Sequence, residues 1–404
     1  MSGGNHVSGK RTKQPSIVIG VTSDLSIVLL KGLPAHLQSL GWAVHVVSAP
    51  GPRLDALKGA GVQVHPLPMD RNPNVLADVV SLARWVVLLL RIRPDVVSVG
   101  TPKAGLLGML AGWITRTPFR VYMLRGLRLE TTTGRQRAFL HRLEQIACRA
   151  SHVVLAVSYT LRQAAVEAGL AGSDKIRVVG HGSSNGVEIR PQPPARSGAS
   201  LSTHVVGFVG RATADKGIAL LAESLAVLAQ EGVTGQLLII GEPDASSDAQ
   251  AWTNLHESGW QVRATGMVPD VSPYYPMMDV LALPTRREGF PNVVLEAAVC
   301  QVPCVATMAT GIPDAIEHGH TGIIVHDRDA RKYAEGLRAL LLDDDGRRLM
   351  GYQARERAQG RFERTAVWAA YADVYAGGLA AVRQTSRTSP PDTTAGHGAS
   401  KSPR

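Results

Sequence analysis

Four side chains in this sequence could act together on a phosphate and a hydroxyl-rich ligand: Arg211, Lys216, Glu288 and Glu296. Arg211 and Lys216 lie in the turn Gly210–Gly217, G-R-A-T-A-D-K-G, between an apolar strand-like run and a helix-like run. A guanidinium there offers two parallel donors, a lysine offers a point charge, and a helix N-terminus offers free N–H groups. Glu288 and Glu296 stand eight residues apart, with Gly289, Phe290, Pro291 and Asn292 beginning the interval. Eight residues are a little over two helical turns, which would send both carboxylates toward the same end of one element. Glu288 falls in a Gly/Pro loop, and Glu296 falls inside the apolar run Val293–Val299, read as a buried helix. A carboxylate there is costly without hydrogen-bond donors, and the hydroxyls of a sugar or ribose are suitable ones. Either pair alone is ordinary, because turn cations are usually solvated and helix glutamates usually salt-bridged. Together, at two strand ends of one sheet, they describe a nucleotide-sugar site, with cations at the phosphate end and acids at the hydroxyl end.

The elements that must position these residues repeat one grammar. Ser16–Val21 reads as a strand, Ser26–Leu40 as a helix closed by Gly41, and Ala43–Ser48 as a second strand. Short connections between them imply parallel strands and right-handed crossovers. A ligand site is then expected beyond the strand ends, near Thr22–Asp24 and Ser48–Gly51. The turn Gly100–Gly105 before a helix is a weak second anion candidate. The same grammar restarts at Val205–Val209. The organisation expected is a disordered segment 1–14, a first domain 15–190, a Pro/Ser/Gly linker 191–203, and a second domain 204–362. A helix at 363–383 carries Trp368, Tyr371, Tyr375 and Leu379 on one face and crosses back to the first domain. A disordered tail, 384–404, follows.

Composition narrows the class. The chain has 404 residues, 45% hydrophobic, enough for two cores. The formal charge of +10 suggests an acidic partner such as a phosphate ligand, a nucleic acid or an anionic membrane face. Three cysteines are too few for a disulfide framework, and Cys300 and Cys304 have no further Cys or His at zinc spacing. No Asp-x-Asp pair falls at a strand end, and no metal site is expected. Met1–Pro15 is polar, so no signal peptide is expected, and no apolar run reaches the roughly 18 residues of a membrane span. The helices Val75–Arg91 and Arg135–Arg149, with Leu110, Trp113 and Phe119, make a candidate basic-apolar membrane face. An ordinary sheet-covering helix is the stronger reading for each alone.

The motifs G-R-x-x-x-x-K-G at Gly210–Gly217, the E-x7-E pair Glu288/Glu296 with G-F-P-N between, and T-G-I-P-D at Thr310–Asp314 resemble those of glycosyltransferase family 4. The resemblance spans roughly residues 15 to 380. It implies an α/β fold of GT-B architecture: two Rossmann-like domains whose parallel sheets face a central cleft, acceptor domain first and donor domain second. It implies that Arg211 and Lys216, bracketed by Gly210 and Gly217, hold the donor diphosphate and replace a metal. Glu296 would bind the ribose and Glu288 the donor sugar. The backbone of Gly289, Phe290, Pro291 and Asn292 would meet diphosphate and sugar, and Met267 would flank the base. No cofactor is implied beyond the nucleotide diphosphate sugar, most naturally a uridine one. Thr101–Gly105, Arg125–Gly134 and Gly182–Val187 resemble the subgroup that builds bacterial capsule and lipid-linked glycans. That implies a lipid-linked saccharide acceptor and a cytoplasmic protein peripheral on the inner membrane face. Where many relatives have His-Gly, this chain has Arg125-Gly126; an arginine keeps a cation but neither accepts nor titrates near neutrality.

Two rival functions remain at this level. A nucleotide-sugar 2-epimerase of the same architecture would convert the donor with no acceptor. A non-catalytic polyanion or membrane-surface binder would show salt-dependent binding. No basic-aromatic platform for bases is present, so nucleic acid is not an expected partner.

Overall fold

The computed structural model describes residues 14–70, 74–191, 203–242 and 249–388. Two parallel sheets carry the chain. The first has seven strands: β1 (Ser16–Gly20), β2 (Ala43–Ser48), β3 (Gln63–Pro66), β4 (Val96–Gly100), β5 (Phe119–Leu124), β6 (Val153–Ala156) and β7 (Ile176–Val178), in the order β3-β2-β1-β4-β5-β6-β7. The second has six: β8 (His204–Val209), β9 (Gly235–Ile240), β10 (Gln261–Ala264), β11 (Val280–Leu283), β12 (Cys304–Thr307) and β13 (Gly322–Val325), in the order β10-β9-β8-β11-β12-β13. Every residue of β1, β4 and β11 is buried. Helices cover both faces of such strands, so they read as continuous apolar runs rather than alternating ones.

In the first domain the helices are α1 (Leu33–Ser39), α2 (Pro52–Ala56), α3 (Val75–Ile92), α4 (Pro102–Ile114), α5 (Gly134–Ala150) and α6 (Tyr159–Glu167). The second has α7 (Ile218–Gln230), α8 (Ala249–Glu257), α9 (Asn292–Val299), α10 (Ile312–Ala315), α11 (Ala330–Leu342) and α12 (Asp344–Phe362). In each sheet the strand order reverses beside the first strand, between β1 and β4 and between β8 and β11. Ligands of open parallel sheets bind at that switch point.

The last helix, α13 (Arg364–Thr388), returns to the first domain. Tyr371, Tyr375 and Leu379 are buried in the same apolar cluster as Ile17, Val46 and Val121. The Tyr375 hydroxyl bonds Ser98 at 3.0 Å, and Arg383 pairs with Asp95 at 2.7 Å. The helix continues to Thr388, into the segment expected to be disordered. No Gly or Pro falls in 384–388, and Ser and Thr have only modestly lower helix propensity. The segments 1–13, 192–202 and 389–404, read from sequence as disordered termini and linker, lie outside the described residues.

Several expected elements differ. The helix expected over Ser26–Leu40 is split into a 3-10 turn, Asp24–Leu29, and α1. Pro34 enters at the start of α1 and cannot donate to a preceding turn, and Lys31 has φ +38. Helix α2 likewise runs into a 3-10 turn, at Leu57–Ala60. Helix α8 was absent from the sequence reading. Asp343 caps α12, accepting from the Gly346 N–H, and Asp344 and Asp345 open it.

Candidate functional site

Loops from the two strands at the second switch point meet. The turn after β8 begins at Gly210, with φ 141, and ends at Gly217, with φ 79. Gly217 has no substitute: a Cβ there would sit 1.9 Å from the Pro284 carbonyl oxygen. That contact holds the β8 turn against the loop leaving β11. Arg328 holds the second loop from behind, donating to the carbonyls of Pro284 and Thr285 at 3.1 and 2.8 Å.

Across this junction the Lys216 ammonium forms a short ion pair with Glu288 Oε1. Both are partly covered, with side-chain exposures of 24% and 12%. Arg211 is exposed on the same turn. Asp215 pairs with Arg287 at 3.1 Å and accepts from Thr213. Burial pushes the Asp215 carboxyl up, but the Thr213 hydrogen bond and the Arg287 charge outweigh it, leaving the acid below its ordinary range.

Phe290 is buried and packs on Phe362 with centroids 5.3 Å apart. Pro291 caps α9, and Asn292 is its first residue. Only Glu296 is helical, so the two glutamates do not share one element. Glu296 is doubly satisfied: Lys31 of the first domain reaches Oε1 at 2.8 Å, and the Tyr275 hydroxyl donates to Oε2 at 2.8 Å. Burial, then the neighbouring Glu296 charge, pushes the Tyr275 phenol well up, so it remains a donor. Neither partner was found from sequence. Lys31 is 265 positions away, and Tyr275 looked like an ordinary aromatic in a short helix. Both line an interdomain cavity of about 680 Å3, counting space open to solvent, with Arg190, Asp270 and Ser272. Met267 is 54% exposed at the cleft rim, where the Arg53 guanidinium meets its sulfur at 3.4 Å.

The first domain closes directly on the Glu288 loop. A Cβ on Gly289 would lie 2.0 Å from the Arg125 carbonyl oxygen. Ser158 donates its hydroxyl to the Gly289 carbonyl at 2.7 Å, and Ser183 donates to Asn292 Oδ1 at 2.8 Å. Ser158 also caps α6 through the Leu161 N–H, the role its position suggested. Asp314 of the T-G-I-P-D stretch accepts from the Tyr159 N–H at 2.7 Å and the Thr160 hydroxyl at 2.5 Å. Glu130 accepts from the Thr310 hydroxyl at 2.5 Å. Covering by neighbouring protein pushes the Glu130 carboxyl up, opposed by that hydrogen bond and by Arg287.

Two candidates from sequence are spoken for differently. At the α4 N-terminus the Thr22 hydroxyl already accepts from the Ala104 N–H at 3.1 Å and meets Thr101 at 2.7 Å. A threonine from the loop after β1 therefore fills the place proposed for an anion. Arg125 turns its side chain into the first domain, among Gly100, Met123, Tyr371 and Tyr375. Burial lowers its pKa, with the two phenols opposing.

The cysteines are all free thiols. Burial pushes Cys148 up to about 12 and Cys300 up to about 11, and Cys304 higher still. Such thiols are inert packing groups. No group of His, Cys, Asp and Glu among the described residues could hold a metal ion. No helix among them is long and apolar enough to cross a membrane.

Comparisons agree with this geometry. Residues 30–182 match the family model "Glycosyl transferase 4-like domain", and residues 203–343 match "Glycosyl transferases group 1". The chain is 34% identical over 364 residues to the capsular polysaccharide biosynthesis glycosyltransferase CapM of Staphylococcus aureus, covering 88% of this chain and 95% of CapM. HepE of Anabaena, solved in complex with UDP and glucose, superposes with a TM-score of 0.73 at 20% identity, covering 89% of this chain and 99% of HepE. The sucrose-phosphate synthase of Thermosynechococcus elongatus gives 0.73 at 19% identity, covering 91% of this chain and 100% of that one. Two parallel-sheet domains, a turn that joins Lys216 to Glu288, and a relative matched along nearly its full length place this chain among the glycosyltransferases of family 4, with the GT-B fold.

Proposed function

We propose that the protein is a retaining glycosyltransferase. It moves a sugar from a uridine diphosphate sugar to a hydroxyl of a lipid-linked saccharide during assembly of a capsule or related exopolysaccharide. One observation carries this reading: Lys216 and Glu288, distant in sequence, are ion-paired in the same cleft whose other acid, Glu296, is reached by both domains. CapM and the UDP-bound HepE support the capsule and uridine assignments.

In this mechanism Arg211 and Lys216 stabilise charge developing on the departing diphosphate, from fixed positions and with little reorganisation. Gly210 and Gly217 let the turn approach the phosphates closely. The bond from the anomeric carbon to the diphosphate oxygen breaks, and a bond to the acceptor oxygen forms on the same face. The acceptor proton passes to the leaving phosphate oxygen, so Glu288 binds a sugar hydroxyl and needs no covalent role. The backbone from Gly289 to Asn292 lies along the diphosphate and sugar, Glu296 binds the ribose hydroxyls, and Met267 flanks the base. Closure of the first domain on the Gly289 loop excludes water.

Exposed apolar groups on the first domain support an acceptor end at a membrane. At the start of α3, Val75, Leu76 and Val79 are 77%, 82% and 61% exposed, with Arg84 exposed further along the helix; at the end of α4, Trp113 is 61% exposed, with Arg116 exposed just beyond it. Phe119, expected on this face, is instead buried, stacked on His152 and against α13 at Gly378. An apolar stripe flanked by arginines suits an anionic lipid surface on the cytoplasmic side. The decisive experiment is a panel of nucleotide sugars with the purified chain, with and without a membrane acceptor fraction. Transfer that vanishes in Glu288→Gln while the fold persists is the expected outcome. Epimerisation of donor alone would replace transferase with epimerase. Normal turnover of Glu288→Gln would remove the proposed site.

A further inference from the structure

Arg125 is held in a way that ordinary packing does not explain. It leaves the end of β5, and its carbonyl packs on Gly289 of the Glu288 loop. Its guanidinium Nε and Nη1 are covered by protein and have no hydrogen-bond partner among the described residues. The group lines a narrow cavity with Ser98, Gly100, Ser184, Tyr371 and Tyr375, with room for about one water molecule. No carboxylate lines this cavity.

Arginine stays charged in proteins, so this cation cannot escape its cost by losing a proton. An uncompensated covered charge is strongly destabilising, and a neutral side chain of similar length would be the better packing choice. The surrounding groups do not supply the missing charge. The Tyr371 hydroxyl donates to the Ser183 carbonyl at 2.9 Å, and Tyr375 and Ser98 bond each other at 3.0 Å. These bonds fix the cavity wall and leave the guanidinium edge unanswered. Part of its wall adjoins the cleft: Ser184 follows Ser183, which holds Asn292, and Gly20 and Gly100 end the two strands at the switch point; Ile19, Leu30, Leu33 and Met123 of the first domain's apolar cluster close the rest.

We propose that Arg125 is the cationic wall of an oxyanion subsite on the first-domain side of the cleft, which takes one oxygen of a carboxylate or phosphate carried by the substrate. The cavity admits a single oxygen, so the rest of the anionic group stays in the cleft. A carboxylate on the transferred sugar and a phosphate on the acceptor present the same oxygen chemistry, and both lie within the function proposed above. Only the identity of the molecule that brings the oxygen rests on that function; the subsite rests on Arg125 itself.

The test uses the full chain and Arg125→Met, followed by thermal unfolding with inorganic phosphate. It also compares binding of UDP-glucose and UDP-glucuronate. Lys216→Ala serves as the background in which phosphate at the diphosphate turn no longer contributes. Without ligand, Arg125→Met is expected to melt higher than the parent, because the orphan charge is gone. With phosphate, the parent and Lys216→Ala are expected to gain stability; adding Arg125→Met abolishes the gain in Lys216→Ala and leaves the parent only the part due to the diphosphate turn. A tenfold preference for UDP-glucuronate that disappears in Arg125→Met assigns the oxygen to the sugar. An Arg125-dependent phosphate response without that preference assigns it to the acceptor. If neither response depends on Arg125, the subsite does not exist, even where UDP still binds and transfer proceeds. A phosphate response at Arg125 in a chain that binds no UDP keeps the subsite and removes the transferase. Should Arg125→Met fail to fold, Arg125→Lys carries the test. It is expected to keep the cation and weaken the response at least threefold, and an unchanged response overturns the proposal.

Discussion

The loops after β1 and β8 occupy the same place in two similar sheets and have opposite characters. After β8, glycines with positive φ bracket the turn, Arg211 is exposed on it, and Lys216 pairs with Glu288. After β1, Thr22 spends its hydroxyl on the α4 N-terminus, and Lys31 crosses to Glu296 of the other domain. In the proposed function the loop after β8 presents cations to a ligand, whereas the loop after β1 satisfies groups of the protein itself. The same backbone topology thus leaves the chemistry to loop residues.

The same substitution in each loop sharpens this contrast. Lys216→Met should lower turnover by about 10²- to 10³-fold, the range seen when one preorganised charge stabiliser is removed. Steady-state kinetics with the active donor measure it, and a loss below tenfold would make the β8 turn ordinary.

A second difference lies deeper. The second domain's Glu288 and Asp215 are ion-paired, whereas Glu144 of the first domain is buried with only a hydrogen bond from Tyr122, at 2.6 Å. Burial pushes the Glu144 carboxyl up to about 7, against the Tyr122 hydrogen bond and the more distant Arg128. A folded-state value above the unfolded one means the folded form holds the proton more tightly. Its contribution is therefore whole below about pH 4.5 and is lost as pH rises through about 7. Glu144→Gln cannot ionise and should gain on the parent by about 1–3 kcal/mol between pH 5 and pH 8. Denaturant unfolding at the two pH values measures this, and parallel pH profiles would contradict it.

The smallest effect belongs to Lys31→Met. A partly exposed ion pair is worth about 1 kcal/mol or less. In the proposed site the ribose needs the carboxylate that Lys31 holds, so UDP should bind up to about fivefold tighter in the variant. Calorimetric titration decides the sign; weaker binding would mean that Lys31 touches the nucleotide or closes over it.

The fold was legible because its signals are local. Apolar runs such as Val205–Val209, ended by Gly210 and followed by a long apolar helix, declare a parallel unit within about 30 residues. Errors occurred where local signals compete. Pro34 interrupted a helix-like run, and Asp343 looked like a turn residue but capped α12. The site was half legible. The residues Arg211, Lys216, Glu288 and Glu296 could be listed together because each motif is short. Their present partners could not, since Lys31, Tyr275, Ser158 and Ser183 carry no pattern that marks an interdomain contact.

The order of residues alone determined most of the strands and helices, that two similar halves follow one another, and which turns are candidates to hold phosphate. These properties depend on neighbours within a few turns of chain, where periodicity and glycine conformation are written directly. Only the packed molecule decided that Glu296 is held by a lysine from the other half, that Asp314 caps a helix across the cleft, and that Arg125 faces inward without a counterion. Such pairings join residues up to hundreds of positions apart, and they form only once both sheets have folded and met.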